Sequence, residues 1–208
     1  MTKPVQVSNW NVPNALTTLR LVMVPFFGWA LLHEGGESTT WRWVAFALFV
    51  LAMITDKVDG DIARKHNLIT NFGKIADPIA DKAMTGMAFV GLAVISDFLP
   101  SWLWWTITAV VLVREWAVTL ARLSIAKDVV MPAKQSGKVK TVMQVVALAG
   151  FVAPFGLLTG DLETPGDLLW VASSVALGVA VLLTITSGVE FARDVVRHRR
   201  GAPTSAQR

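Results

Sequence analysis

Four aspartates stand where a chain of this composition can least accommodate charge: Asp56 and Asp59, then Asp77 and Asp81, each pair at one end of a long apolar run. On a helix, Asp56, Asp59, Gly60 and Ala63 fall at i, i+3, i+4 and i+7, a single stripe. Gly73, Asp77 and Asp81 fall at i, i+4 and i+8, with Ala80 beside them. Both stripes set small residues next to acids, which leaves room for a ligand. Gly60 costs a helix about 1 kcal/mol relative to alanine, so a close approach to its backbone is expected. Four facing carboxylates repel strongly in a low dielectric unless some are protonated or cations neutralise them. All-oxygen donors favour hard ions, Mg²⁺, Mn²⁺ or Ca²⁺, over zinc. Two divalent ions would balance four negative charges and hold a diphosphate. The competing reading is a set of interfacial acids paired with Lys57, Arg64, Lys65, Lys74 and Lys82. Any one aspartate alone favours that reading, and the joint stripe favours a shared cation site.

The elements that must carry these stripes follow from composition. The chain has 208 residues, 53% of them hydrophobic and 16% charged, with a mean hydropathy of +0.53. An ordinary soluble domain is about 25% charged. A disordered chain and a soluble enzyme are excluded. The absence of cysteine removes disulfides, thiolate metal sites and a cysteine nucleophile. An integral membrane protein remains.

Apolar blocks recur at 13–33, 41–63, 75–96, 101–126, 141–159 and 168–192. Most have the length of a helix that crosses a hydrocarbon core of about 30 Å. Stretches 41–54 and 102–113 offer no polar outer face, as helices of a soluble bundle would. The fold class is therefore all-α, with six transmembrane helices in one catalytic domain over 1–200. Residues 201–208 read as a disordered tail. The polar first residues lack an apolar core with a cleavage site, so no secretory signal is expected. Pro13, near a helix start, marks 10–18 as a candidate short interfacial helix.

Charge placement orients the spans. Arg42 is the one Lys or Arg in or beside the first, third and fifth loops, while Arg20 and Arg114 lie inside spans. The other cations lie at the N-terminus, around loops two and four, or in the tail. Glu34, Glu37, Asp97, Asp161, Glu163 and Asp167 occupy the opposite side. The positive-inside rule puts both termini and the aspartates on the cytoplasmic side. Trp41, Trp43, Trp102, Trp104, Trp105 and Trp170 gather at the outer boundary as an aromatic belt, with Trp29 and Trp116 read as packing residues.

Written out, the acidic segment is Asp56-Lys-Val-Asp59-Gly60-Asp-Ile-Ala63-Arg64, then Gly73, Asp77 and Asp81. It resembles the signature of the CDP-alcohol phosphotransferase family at every defined position. The resemblance implies that family's six-helix fold, a homodimer, and a site where four aspartates hold Mg²⁺ or Mn²⁺, two ions per site. It implies transfer of a phosphatidyl-type group from a CDP-linked lipid to an alcohol, with release of CMP. Carried over by position, Asp56, Asp59 and Asp77 would be metal ligands, and Asp81 a ligand, the general base, or both. Gly60, Ala63 and Gly73 would form the bed for the cytidine nucleotide. Arg64 would touch the diphosphate or brace the aspartates. Asp61 fills a variable position, where a surface pair with Lys57 or Lys65 is the simple expectation.

A phosphate on the acceptor would leave its own mark. Arg20, Arg114, Arg122, Lys138 and Lys140 recur near the inner side and together can hold a phosphate monoester. A buried Arg114 needs a partner, and Glu190 or a site aspartate would serve instead. Lys138 and Lys140 also suit ordinary loop charges or anionic headgroups. The run from Asn11 through Pro13, Asn14 and Thr17 to Arg20, the pair Arg114-Glu115 followed by Arg122, and Gly137-Lys138-Val-Lys140-Thr141 resemble the phosphatidylglycerophosphate synthase branch of the family. That branch implies CDP-diacylglycerol as donor, glycerol 3-phosphate as acceptor, a bacterial plasma membrane with its lipids around the protein, and no nucleic-acid partner. A cardiolipin synthase of the same fold would take phosphatidylglycerol, which has no phosphate monoester, and the intramembrane arginines argue against it. Intramembrane prenyltransferases are longer and lack the Gly-x-x-Ala-Arg continuation. A cation-coupled transporter would set its charges nearer the midplane, often with inverted repeats, and neither feature is present.

Overall fold

The computed structural model describes residues 11–66, 68, 70–95, 99–125, 135–155 and 165–199. These form six long helices: α1 (Val12–Leu32), α2 (Thr39–Lys65), α3 (Asn71–Ile95), α4 (Ser101–Ile125), α5 (Gln135–Val152) and α6 (Pro165–Arg199). A short 3₁₀ turn, His33–Gly36, joins α1 to α2. No strand occurs among the described residues. The tail at 201–208 lies outside them.

Among the described residues, four stretches are long and apolar enough to cross a bilayer: Val12–Gly36, Phe72–Ile95, Ser101–Ala121 and Leu168–Arg193. Helices α2 and α5 are more charged at their ends. In α2 the charge-free stretch is 43–55, between Arg42 and Asp56, and α5 opens with Lys138 and Lys140. The bundle's outer surface is apolar, with Leu168, Val113, Leu182 and Val175 each more than 60% exposed. Water would not tolerate so large an apolar exterior on a monomer.

Helix starts are set by polar caps that a hydropathy reading passes over. Asn11 accepts from the Asn14 backbone N–H at 3.0 Å, and Pro13 occupies the first turn, where its missing N–H costs nothing. Helix α1 runs unbroken from Val12 through Thr18, so 12–18 forms its first turns rather than a separate interfacial helix, and Trp10 lies outside the described residues. Thr70 Oγ1 accepts from the Gly73 N–H at 3.0 Å, which starts α3 at Asn71, ahead of its apolar run. Helix α5 begins at Gln135 for the same reason: its first turn is polar, and polarity does not prevent helix.

Between α1 and α2, Glu34, Gly35 and Gly36 all take positive φ, at 53°, 68° and 85°. A Cβ on Gly36 would come within 2.7 Å of Ile95 Cδ1, so both the backbone and the neighbour require glycine there. Helix α1 packs on α2 and α3, α5 packs on α6, and α4 bridges α3 and α6. Phe27, Phe49, Met84, Phe89, Leu92, Trp104 and Leu148 form the fully buried centre. Trp104, placed in the outer belt by sequence, instead packs edge-on against Phe151 with centroids 5.7 Å apart. Trp29 is 53% exposed and stacks on His33 and Trp41; it belongs with the surface aromatics rather than the packing ones.

Arg42, the exception in the charge pattern, has a structural assignment. Its Nε donates to the Val152 carbonyl at 2.9 Å and its Nη1 to Gly36 at 3.3 Å, and its Nη2 donates to Phe151. It closes the C-terminus of α5, whose last carbonyls have no partner within the helix.

Candidate active site

The C-terminal part of α2 and the N-terminal part of α3 meet at the end of the bundle opposite Arg42. Odd-numbered helices begin at this end and even-numbered ones finish there, so residues far apart in sequence share one level. The four aspartates are the centre of it. Asp77 and Asp81 lie within Coulombic reach of Asp56, and Asp56 and Asp77 within reach of Asp59. Asp59 is buried, and Asp56, Asp77 and Asp81 are half-buried.

Helix α1 grips three of the four. The Arg20 guanidinium, fully buried, donates through Nη1 to Asp56 Oδ1 at 2.6 Å and through Nη2 to Asp59 Oδ2. The fork of arginine suits two carboxylates one helical turn apart, which lysine would not match. Three residues earlier on the same face, Thr17 Oγ1 donates to Asp77 Oδ1. Arg20, expected among the groups that meet an acceptor phosphate, is instead committed to the aspartates. Its Nε, also buried, has no hydrogen-bond partner among the described residues.

Under Asp77 the floor is polar and closely fitted. Thr70 Oγ1 lies 3.0 Å from Asn14 Oδ1. A Cβ on Gly73 would stand 3.0 Å from Asn14 Oδ1, 3.3 Å from Thr70 Oγ1 and 3.5 Å from Asp77 Oδ2. A side chain at Gly73 would press on Asn14 and Thr70 and come into contact with Asp77. Gly60 and Ala63 are half-buried on α2, and Arg64 folds over Gly60, its Nη1 3.3 Å from where a Cβ would be. Arg64 pairs with Asp61 at 2.7 Å, both well exposed. It therefore braces Asp61, not the site aspartates, and Asp61 takes Arg64 rather than Lys57 or Lys65.

On the far side of Asp81 lies a second charged group. Lys82 Nζ contacts Asp81 Oδ2 at 2.8 Å and Glu115 Oε2 at 2.7 Å. Lys140 and Arg114 both reach Glu115 Oε1, the latter at 3.1 Å. Arg114 also donates to Ser187 Oγ at 2.9 Å, and its side chain fits the gap on α6 left by Gly188. Its partners are thus Glu115 and Ser187, neither of which was the expected one. Lys138 is exposed, two residues from Lys140 and so on another face. Arg122 lies on α4, but its side chain falls outside the described residues.

The structure thus brings together Asp56, Asp59, Asp77, Asp81 and Arg20, and beside them Arg114 and Lys140. It adds Thr17 and Glu115, to which the sequence reading gave no role at the site, and Lys82, which pairs with Asp81 as the competing reading of the acids expects. An acid inside an apolar span requires a partner, and that rule alone points to Glu115.

The donor set suits a hard divalent ion. One oxygen each of Asp56, Asp77 and Asp81 is taken by Arg20, Thr17 or Lys82, and the other has no hydrogen bond among the described residues. Among the described residues, no three acidic or histidine groups close on a single point at ligand distance. The carboxylates are therefore positioned by protein donors with free oxygens to offer. Thr17→Val keeps the shape and removes the hydroxyl beside Asp77. Loss of such an outer hydrogen bond typically costs about 10-fold or more in metal affinity. The Mg²⁺ concentration for half-maximal activity is expected to rise by that factor; an unchanged requirement would make the bond a packing detail.

Residues 10–186 match the CDP-alcohol phosphatidyltransferase family, and the chain belongs to it. Among curated proteins, a probable phosphatidylglycerophosphate synthase of Mycobacterium tuberculosis is 42% identical over 196 residues, covering 94% of this chain and 87% of that protein. A CDP-diacylglycerol–glycerol-3-phosphate 3-phosphatidyltransferase of Bacillus subtilis is 36% identical over 195 residues, covering 88% and 93%. A protein of the same name from Rickettsia felis is 35% identical over 185 residues, covering 87% and 93%.

Proposed function

We propose that the chain transfers the phosphatidyl group of CDP-diacylglycerol to the primary hydroxyl of sn-glycerol 3-phosphate, giving phosphatidylglycerophosphate and CMP. The observation that carries this is the adjacency of two charged groups: four aspartates on α2 and α3, and a cluster of cations around Glu115 that begins at Lys82, next to Asp81. The first suits a metal-held diphosphate and the second an acceptor bearing a phosphate. All six helices cross a bacterial plasma membrane, with both termini and the site facing the cytoplasm, and the family resemblance supports a homodimer.

Asp56, Asp59, Asp77 and Asp81 would hold the metal. Four aspartates against Arg20 and Lys82 leave two negative charges, and the donor's diphosphate adds its own, which suits two ions, Mg²⁺ or Mn²⁺. Ions bound there polarise the diphosphate and stabilise the CMP leaving group. Gly60, Ala63 and Gly73 give the nucleotide a bed with no side chain larger than a methyl. Arg114, Lys140 and Lys82 orient the acceptor phosphate, so that its hydroxyl lies near Asp81. The hydroxyl oxygen attacks the phosphatidyl phosphorus, the bond from that phosphorus to the bridging oxygen breaks, and CMP leaves with that oxygen. Asp81 takes the hydroxyl proton through Oδ1, since Oδ2 is on Lys82. Arg20 and Thr17 hold the aspartates in place, which is most of what phosphoryl-type transfer asks of a protein.

The test is an acceptor screen with purified protein and CDP-diacylglycerol, read as CMP release. Turnover with glycerol 3-phosphate, and none with phosphatidylglycerol, serine or inositol phosphate, is expected. Turnover with phosphatidylglycerol alone would replace this reading with a cardiolipin synthase.

A further inference from the structure

Glu115 is the most heavily engaged acid among the described residues. Its side chain is 4% exposed, and both oxygens are occupied, Oε2 by Lys82 and Oε1 by Lys140 and Arg114. It has no oxygen free to ligate a metal or to take a proton, so its contribution is made through the cations it holds. Those cations come from three helices: Lys82 from α3, Arg114 from α4 and Lys140 from α5. Ser187 on α6 adds a fourth through Arg114. Lys82 is also the direct link to Asp81, which it touches at 2.8 Å.

The charges do not cancel. Lys82, Arg114 and Lys140 converge on Glu115, and Asp81, which also faces Lys82, is already counted with the metal site, so the cations around Glu115 outnumber its own charge in a largely buried setting. A buried, unbalanced cation is costly. An anion of small size would relieve it, and the phosphate monoester of the acceptor is such an anion. An acceptor lacking a phosphate monoester would leave the surplus in place.

We infer that Glu115 is a positioning residue that selects for a phosphate-bearing acceptor. It holds Lys82 and Lys140 at one point beside Asp81, so that binding of the acceptor phosphate and placement of its hydroxyl near Asp81 occur together. This rests on the proposed transfer to glycerol 3-phosphate. Without Glu115, Lys82 has only Asp81 to pair with, and Lys140 only solvent or lipid. The two lysines then no longer converge, although the positive charge has increased.

The test is steady-state kinetics on Glu115→Gln, Lys82→Met and the double variant, in the detergent-purified full chain. Glu115→Gln keeps shape and volume and removes the charge. Its KM for glycerol 3-phosphate is expected to rise about 10-fold or more, the scale of a lost charge-assisted hydrogen bond. Its KM for CDP-diacylglycerol is expected to stay within about two-fold, as for a site not in contact. The double variant is expected to fall short of the product of the two single effects, because Glu115 acts in part through Lys82. Equal rises in both KM values, or effects that multiply in the double variant, would overturn the inference and make the cluster purely structural. If Glu115→Gln does not accumulate in the membrane, Lys140→Met must show the same split, and its absence there is equally decisive. Failure of the underlying reading looks different: the wild-type protein would then release no CMP with glycerol 3-phosphate.

Discussion

Asp59→Asn and Asp77→Asn are each expected to lower CMP release by about three orders of magnitude or more, while both proteins still insert and purify with the wild-type elution profile. The scale is that of removing a group engaged directly with charge that develops in the transition state. Asparagine preserves volume and one oxygen. Thr17 can still donate to the Asp77→Asn amide oxygen, and Arg20 retains Asp56 in Asp59→Asn. The fold contacts are therefore largely kept, and what is lost is negative charge at a site built to collect it. The two positions sit on different helices, so equal losses at both would mark one shared site rather than two local defects. Activity within 10-fold of wild type in either variant would remove that aspartate from the metal set.

Arg20→Met is expected to act on stability as well as activity. The guanidinium is fully buried and bridges Asp56 and Asp59. Removing one partner of a buried charge pair costs about 3–5 kcal/mol, because the remaining charge is left without compensation. Here two carboxylates are left, one of them buried. The expected result is a sharp fall in the yield of folded protein, or a lowered unfolding temperature in detergent, together with loss of turnover. Millimolar Mg²⁺ should return part of the thermal stability, since a divalent ion offers the aspartates another cation. Arg20→Lys keeps the charge but not the fork and should recover only part of either property. An Arg20→Met protein with wild-type stability and only a raised KM for glycerol 3-phosphate would restore Arg20 to the acceptor site.

Much of this arrangement is legible in the residues themselves. The small-residue stripes beside Asp56 and Asp59, and beside Asp77 and Asp81, follow helical spacing, and the apolar blocks locate the six helices to within a few residues at most ends. What periodicity does not carry is the identity of partners across helices. Arg20 is two residues from being on a different face of α1, and nothing in its neighbours says that it meets α2 rather than a ligand. Thr17 is a common residue in an apolar helix, where a hydroxyl most often returns to its own backbone. Lys82 stands beside Asp81 in the chain and pairs with it, but its second contact, to Glu115, depends on how α3 and α4 pack. The starts at Asn71 and Gln135 are hidden from hydropathy because the first turns are polar, and at Asn71 the Thr70 cap rather than hydrophobicity decides the start. Trp104 shows the same limit: an interfacial belt and a buried ring look alike in sequence, and only packing on Phe151 separates them.

The four aspartates are expected to form one site, shared by α2 and α3, that binds divalent cations. Titration of the purified protein with Mn²⁺, with free ion followed by electron paramagnetic resonance, addresses this without reference to turnover. Saturable binding by the wild type, weakened at least about 10-fold in both Asp59→Asn and Asp77→Asn, is the expected result. Binding of Mn²⁺ by both variants as tight as that of the wild type would show that the aspartates do not hold the metal.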